Sequence, residues 1–326
     1  MAVSLRKYLL LAAGLLAAGA LRLPLESRWS RDFERQGLLI ADPDPGTMAK
    51  MGQTLCAVAL GGLRTLVATV FDLRAVGFYE DLAWDKLADT YEIMFALAPR
   101  TGEYWAAGAR HQAYDAASYY RHDESLEMSP ALREAHWRAS VLRGRDMLER
   151  GIRNLPDNPD LHKALGALLS DPFRHRAFGA SDATFEAAAR AYGAAADCPE
   201  ALPYLRRFEM YSLARVPHRR AEALELAWRL YANPGNRLPT LCRVYFALQV
   251  AANPGVIDPL ALAVAMFGSE DAAYRELADY WLRGADGMPM DGVALVLRRI
   301  EAGRGIPDAE SVFRKETRRS DERRGE

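Results

Sequence analysis

Cysteine is scarce in this chain and badly placed for a joint role. Cys56, Cys198 and Cys242 stand far apart, and an odd number cannot close a full disulfide framework. They read as small packed residues. Metal spacings are missing too: there is no CxxC pair, and His111, His122, His136, His162, His175 and His218 form no HExxH or similar pattern. An excess of one charge is absent, since 42 Lys and Arg face 43 Asp and Glu, so no global field draws the chain to nucleic acid. No alternating run is long enough for a strand. Neither a G-x-S-x-G elbow, a Walker loop nor a dinucleotide fingerprint occurs. The expectation is a chain without metal, cofactor or nucleic-acid partner.

What the sequence does hold is a helix-ending pattern at uneven intervals. Small residues alternate with aromatic or aliphatic ones at helical spacing, and a proline closes the run. Phe185, Ala188, Tyr192, Ala195 and Pro199 carry it best, with weaker copies at Gly144, Leu148, Gly151, Pro156 and at Leu87, Tyr91, Met94, Pro99. Small residues let two helices approach, and proline forbids continuation. Of the intervals between Pro99, Pro156, Pro199 and Pro234, the last, 35 residues, matches the roughly 34-residue tetratricopeptide period. The predicted fold is all-α, an irregular right-handed solenoid of TPR-like helical hairpins over residues 51–313.

Ahead of that body, Arg6 and Lys7 precede an uncharged run, Tyr8 to Leu21, and Arg22 follows. The run suits a signal-peptide core, and Ala18-Gly19-Ala20 offers a cleavage site. Leu23 and Leu25 extend it, with Arg22 able to snorkel, so residues 1–25 read as an uncleaved inner-membrane anchor, cleavage being the alternative. The basic N-terminus points to a cytoplasmic tail and a periplasmic body, although Arg28, Arg31 and Arg35 lie on the other flank. Residues 26–50 read as a linker, because Asp42-Pro43-Asp44-Pro45-Gly46 excludes regular helix. The apolar stretch 54–71 reads as buried in the helical body, and residues 314–326 as a charged, frayed tail.

Helices are expected at Asp81 to Ala98, Gly102 to Tyr120, and from Ser129-Pro130 through Arg153. One opens at Asp160 and one holds Phe185 to Ala195. Tyr204 to Leu213 pairs with Ala221 to Leu230, and further helices fall at 238–252, 259–267, 270–284 and 289–302. Trp84, Leu87, Ala88 and Tyr91 fit the first-helix template of the repeat, but Pro99 falls where the second-helix template places it, and the second is preferred. Arg174-His175-Arg176 and His218-Arg219-Arg220 read as solvated basic connections.

From Gly61 to Pro199 the chain resembles an uncharacterised group of bacterial membrane-anchored proteins with degenerate tetratricopeptide-like repeats. The resemblance rests on Gly61-Gly62-Leu63-Arg64, on Leu97-Ala98-Pro99, and on Trp105 followed by Ala109, Ala113 and Tyr114. It continues through Gly151-Ile152-Arg153-Asn154-Leu155, Asn158-Pro159, and Leu161 to Gly166. Arg110, His111 and Asp115 depart from the group's pattern. The resemblance implies architecture and anchoring, and carries no activity.

The candidate site lies on the aromatic-rich helix: Trp105, His111, Tyr114, Asp115 and Tyr119 as partner-binding residues. Trp105 and Tyr114 are nine positions apart, about 900° of helical turn, so one faces the core and the other away. His111 and Asp115 form an i,i+4 pair able to meet on one face. The expected function is a scaffold for a protein or peptide partner, attached to the membrane by its N-terminal helix. A structural subunit of an envelope complex, or a hydrolase using His111 and Asp115, are the alternatives.

Overall fold

The computed structural model describes residues 45–51, 63–179, 181–284 and 287–314, and these are all-helical, with no strand among them. The expectations for residues 1–25, for Cys56 and for the tail beyond Arg314 lie outside the described residues. No helix among the described residues is long and apolar enough to cross a membrane. The chain divides into two compact units, Met1–Tyr104 and Trp105–Glu326.

In the first unit, α1 (Pro45–Met51) takes up the end of the stretch expected to be a linker, whose residues 26–44 lie outside the described residues. Proline is tolerated in the first helical turn, where its missing N–H would have had no partner, so Pro45 starts a helix and does not bar one. Next, α2 (Arg64–Glu80) buries Val67, Ala68, Phe71 and Ala75 along one stripe. Arg64 is its first residue. A three-residue turn with Leu82 at φ 53° leads into α3 (Trp84–Leu97), which starts three residues later than predicted. Both templates' positions, Trp84, Leu87, Ala88, Tyr91 and Met94, are buried.

The second unit holds most of α4 (Gly102–Arg110), then a π-helical turn (His111–Ala116) and α5 (Ala117–His122). After these come α6 (Pro130–Asn154), α7 (Pro159–Ser170), α8 (Ser181–Asp197), α9 (Leu205–Ala214) and α10 (Arg220–Ala232). The last four are α11 (Pro239–Ala252), α12 (Pro259–Phe267), α13 (Glu270–Arg283) and α14 (Val293–Arg304). From α5 to α14 each helix packs on the next, and α9 also touches α11, α11 touches α13, and α12 touches α14. The centre is fully buried Met210, Leu241, Phe246, Leu248 and Leu277, each stabilising by about 1.5–3 kcal/mol through burial.

Helix ends follow local chemistry. Ser129, Asn158, Asp258 and Ser269 accept backbone N–H bonds as N-caps, and Pro130, Pro159 and Pro259 follow the first three directly. At the other end, Ala98, Leu155 and Asn253 take nearly one geometry, φ −138° and ψ 60°, φ −137° and ψ 68°, φ −130° and ψ 57°. Each precedes a proline, whose ring bars the helical conformation at the residue before it. Past α14, buried Glu301 accepts from Tyr274, Ser311 and the Val312 amide at 2.7–2.9 Å, which fixes the segment up to Phe313.

Candidate functional site

The predicted site falls on α4, the π turn and α5, where a regular helix was expected. The physical reason lies in the seam. Trp105, Gly108, Ala109, Gln112, Ala113, Ala116 and Ala117 are all buried, and they recur every four residues. In an α-helix a period of four drifts by about 40° per turn. The wider i→i+5 turn returns the seam to α6.

The π turn brings one pair of predicted residues together. His111 Nδ1 lies 2.7 Å from Asp115 Oδ2, and Arg110 Nη2 lies 3.4 Å from His111 Nε2. Burial lowers the His111 pKa below 6.5, opposed by the hydrogen bond to Asp115 and aided by the Arg110 charge. A neutral imidazole therefore donates its Nδ1 proton to Asp115 and presents Nε2 as an acceptor to the Arg110 guanidinium.

Tyr114 does not join that pair. Its ring lies 4.1 Å from the Arg174 guanidinium, and burial pushes its pKa up to about 12. Arg174 Nε also donates to the Ala113 carbonyl at 2.8 Å, and Nη1 pairs with Asp171 at 3.3 Å. The expectation of a solvated basic connection is thus corrected for Arg174, which bolts the loop after α7 onto the π turn. Tyr119 sits edge-on to Tyr120, which stacks on His136 at 4.8 Å. Trp105 is 3% exposed. As a groove anchor it is a correction, because its ring fills the space left by Gly151 and is covered by Arg150 at 5.4 Å.

A larger concave surface lies elsewhere, across α9, α11 and their neighbours. Two cavities, of about 640 and 320 Å³, share Phe208, Tyr211 and Thr240. Phe208 is 41% exposed and is set by its ring neighbours: Tyr192 stacks on it at 5.3 Å, with Tyr204 and Tyr211 edge-on at 5.7 and 6.0 Å. Burial raises the Tyr211 pKa to about 12 and that of Tyr192 as well, so both phenols keep their protons at physiological pH.

Cations ring this apolar floor. Arg207, Arg215, Arg243 and Arg283 line the two cavities, and among the described residues no carboxylate does. Arg207 is held by the Asn236 side chain at 2.7 Å, and Arg215 lies over the Phe185 ring at 4.7 Å. Glu276 and Asp279 pair with Arg243 at 2.6 and 2.7 Å, and Asp279 also pairs with Arg283 at 2.9 Å, which orients both guanidiniums. The signal in the sequence was Tyr204, Phe208 and Tyr211 at i, i+4 and i+7, an aromatic stripe down one helix face. The cationic half of the groove was less legible, because Arg243 and Arg283 come from α11 and α13, although Arg207 lies on α9 itself and Arg215 directly follows it. Among the described residues no three His, Cys, Asp or Glu side chains cluster to hold a metal. No protein-family model, curated protein or solved structure matches the chain.

Proposed function

We propose that this chain is a helical-repeat scaffold, a TPR-like solenoid without catalytic activity, that holds an extended acidic peptide of a partner protein in the groove over α9 and α11. The groove carries the reading: aromatic anchors are exposed beside four arginines in a wall that, among the described residues, contributes no carboxylate. Guanidinium forks suit peptide carboxylates, and half-exposed rings suit apolar side chains between them. The repeat reading draws support from helices that pack on first and second neighbours in chain order. From Arg6, Lys7 and the run Tyr8 to Leu21, the body is placed on the periplasmic side of the inner membrane, tethered by a single N-terminal span.

The test is a fluorescence-anisotropy titration of full-length protein with labelled peptides in which acidic and aromatic residues alternate. Lysine replaces the acidic residues in the controls. Saturable binding of the acidic set, weakened at least tenfold by Phe208→Ala and by Arg207→Glu, is expected. Equal binding of the lysine set, or affinity untouched by both variants, overturns the groove. A hydrolase at His111 and Asp115 would instead leave peptide binding absent and turnover sensitive to His111→Ala. A purely structural subunit would show neither.

A further inference from the structure

A second cationic cavity, of about 510 Å³, lies where α5, α6 and the loop after α7 converge, away from the peptide groove. Its wall brings together Arg121, His122, Arg174 and Arg176, and among the described residues it contains no acidic side chain. Two of these guanidiniums stand over one indole: Arg121 lies 5.2 Å and Arg176 4.8 Å from the Trp137 ring. Like charges gathered on a shared ring repel, and the indole offsets part of that cost through its electron-rich face.

Compensation from carboxylates is partial. Glu134 reaches Arg121 at 3.4 Å and Asp171 reaches Arg174 at 3.3 Å, both from outside the wall. Arg176 has no ion pair among the described residues, and its nearest described partner is the Trp137 ring. Three guanidiniums therefore face two outer carboxylates, which leaves positive charge uncompensated within the wall, and the His122 imidazole adds a hydrogen-bonding group beside it for an anion.

The remaining wall gives the rest of the ligand its character. Ser118 Oγ accepts from Arg174 Nη2 at 3.4 Å and holds it toward the cavity. Phe173 stands at the rim 74% exposed, with no ring partner among the described residues. A flat apolar body would cover it, and guanidinium faces stack on such bodies as well. The volume falls in the range of small-ligand pockets, about 300–1,000 Å³.

We propose that this cavity binds a phosphomonoester carried on an aromatic ring, its phosphate held by Arg176, Arg121 and His122 and its ring laid on Phe173. A phosphomonoester carries about −1.5 to −2 charge near neutrality and offers three acceptor oxygens, which the converging donors fit. Arg174 is the positioning residue, since its remaining bonds are spent on Ala113, Asp171 and the Tyr114 ring.

The experiment is isothermal titration calorimetry of the full-length protein with phenyl phosphate, and separately with inorganic phosphate and with phenol. Phenyl phosphate is expected to saturate one site at least tenfold more tightly than inorganic phosphate, with phenol giving no measurable heat. Arg176→Glu should weaken it at least tenfold, and Phe173→Ala should erase its advantage over inorganic phosphate. Both side chains are exposed, so unchanged thermal melting is expected of the variants; Arg176→Gln is the alternative if Arg176→Glu fails to fold. Phe208→Ala, in the peptide groove, should leave phenyl phosphate binding intact. Absence of saturation, undiminished binding by both Arg176 variants, or loss on Phe208→Ala would overturn the assignment. Equal affinity for the two phosphates would remove the aromatic half of it.

Discussion

Helix α6 meets the α4–α5 segment through Gly144, and through Gly151 against the Trp105 side chain, whereas α7 meets α8 through Gly166, and Gly144 and Gly166 use glycine differently. A Cβ on Gly144 would stand 2.6 Å from the Ala113 Cβ and 2.7 Å from the Ala109 carbonyl oxygen, so backbone faces backbone. A Cβ on Gly166 would meet the Tyr192 ring at 2.9 Å, so the opposing group is a side chain. The α8 partner stays a regular helix, while the partner of α6 carries the π turn. Where small residues recur every four positions the helix itself must change pitch to keep them in register. Where one large ring fills the gap, the ring adapts and the helix does not.

Gly144→Leu should break the first seam outright. No rotamer moves the opposing backbone, so a loss of about 3 kcal/mol or more is expected in urea unfolding, near the upper end for overpacking. Unaltered stability would mean that α6 can slide. Arg174→Ala attacks the same seam from the loop side, removing the bond to Ala113 and the ion pair with Asp171, whose Oδ1 keeps the backbone amides of residues 173 and 174. A loss of about 2–3 kcal/mol follows, and Arg174→Lys should recover less than half, because lysine cannot reproduce the fork.

Alkaline pH sharpens the contrast without a mutation. Tyr114 is raised to about 12 in the folded protein against about 10 unfolded, so the folded state holds the proton longer. Its contribution is fully present below pH 10 and is lost as pH climbs from 10 through 12, an effect on the order of 2 kcal/mol. Tyr114→Phe should flatten that part of the stability–pH curve, read by denaturant midpoints and by absorbance at about 295 nm.

Gly166→Ala probes the second seam and should cost about 1 kcal/mol, because the Tyr192 ring can tilt and alanine regains helix propensity. A cost equal to that of Gly144→Ala would erase the distinction between the seams. Gly77→Ala completes the series with the opposite sign. Its Cβ would meet nothing within 4 Å on exposed α2, so a gain of about 0.5–1 kcal/mol in unfolding free energy is expected.

Legibility in the sequence tracked the range of the interaction. Ser129 with Pro130 marked the start of α6, and Pro99 and Pro156 marked the ends of α3 and α6, within a residue or two. The relevant forces act between neighbours in the chain. The pair His111 and Asp115 was legible for the same reason, since four residues of helix bring them together. Trp105 was misjudged as an anchor because its burial depends on Gly151, far along the chain. The π turn left a trace, the four-residue recurrence from Trp105 to Ala117, but such a period looks helical unless the drift is followed over several turns.

The sequence by itself therefore determined the all-helical character of the described residues, the helix ends marked by caps and prolines, and the small-residue faces along which helices approach. Tertiary structure alone decided that Arg174 caps the carbonyl of Ala113, 61 positions away, and that arginines from separate helices converge over aromatic floors. Caps and prolines act through covalent geometry a few bonds away, so they can be read locally. A cationic site is made by side chains whose separation along the chain says nothing of their separation in space until the helices have packed.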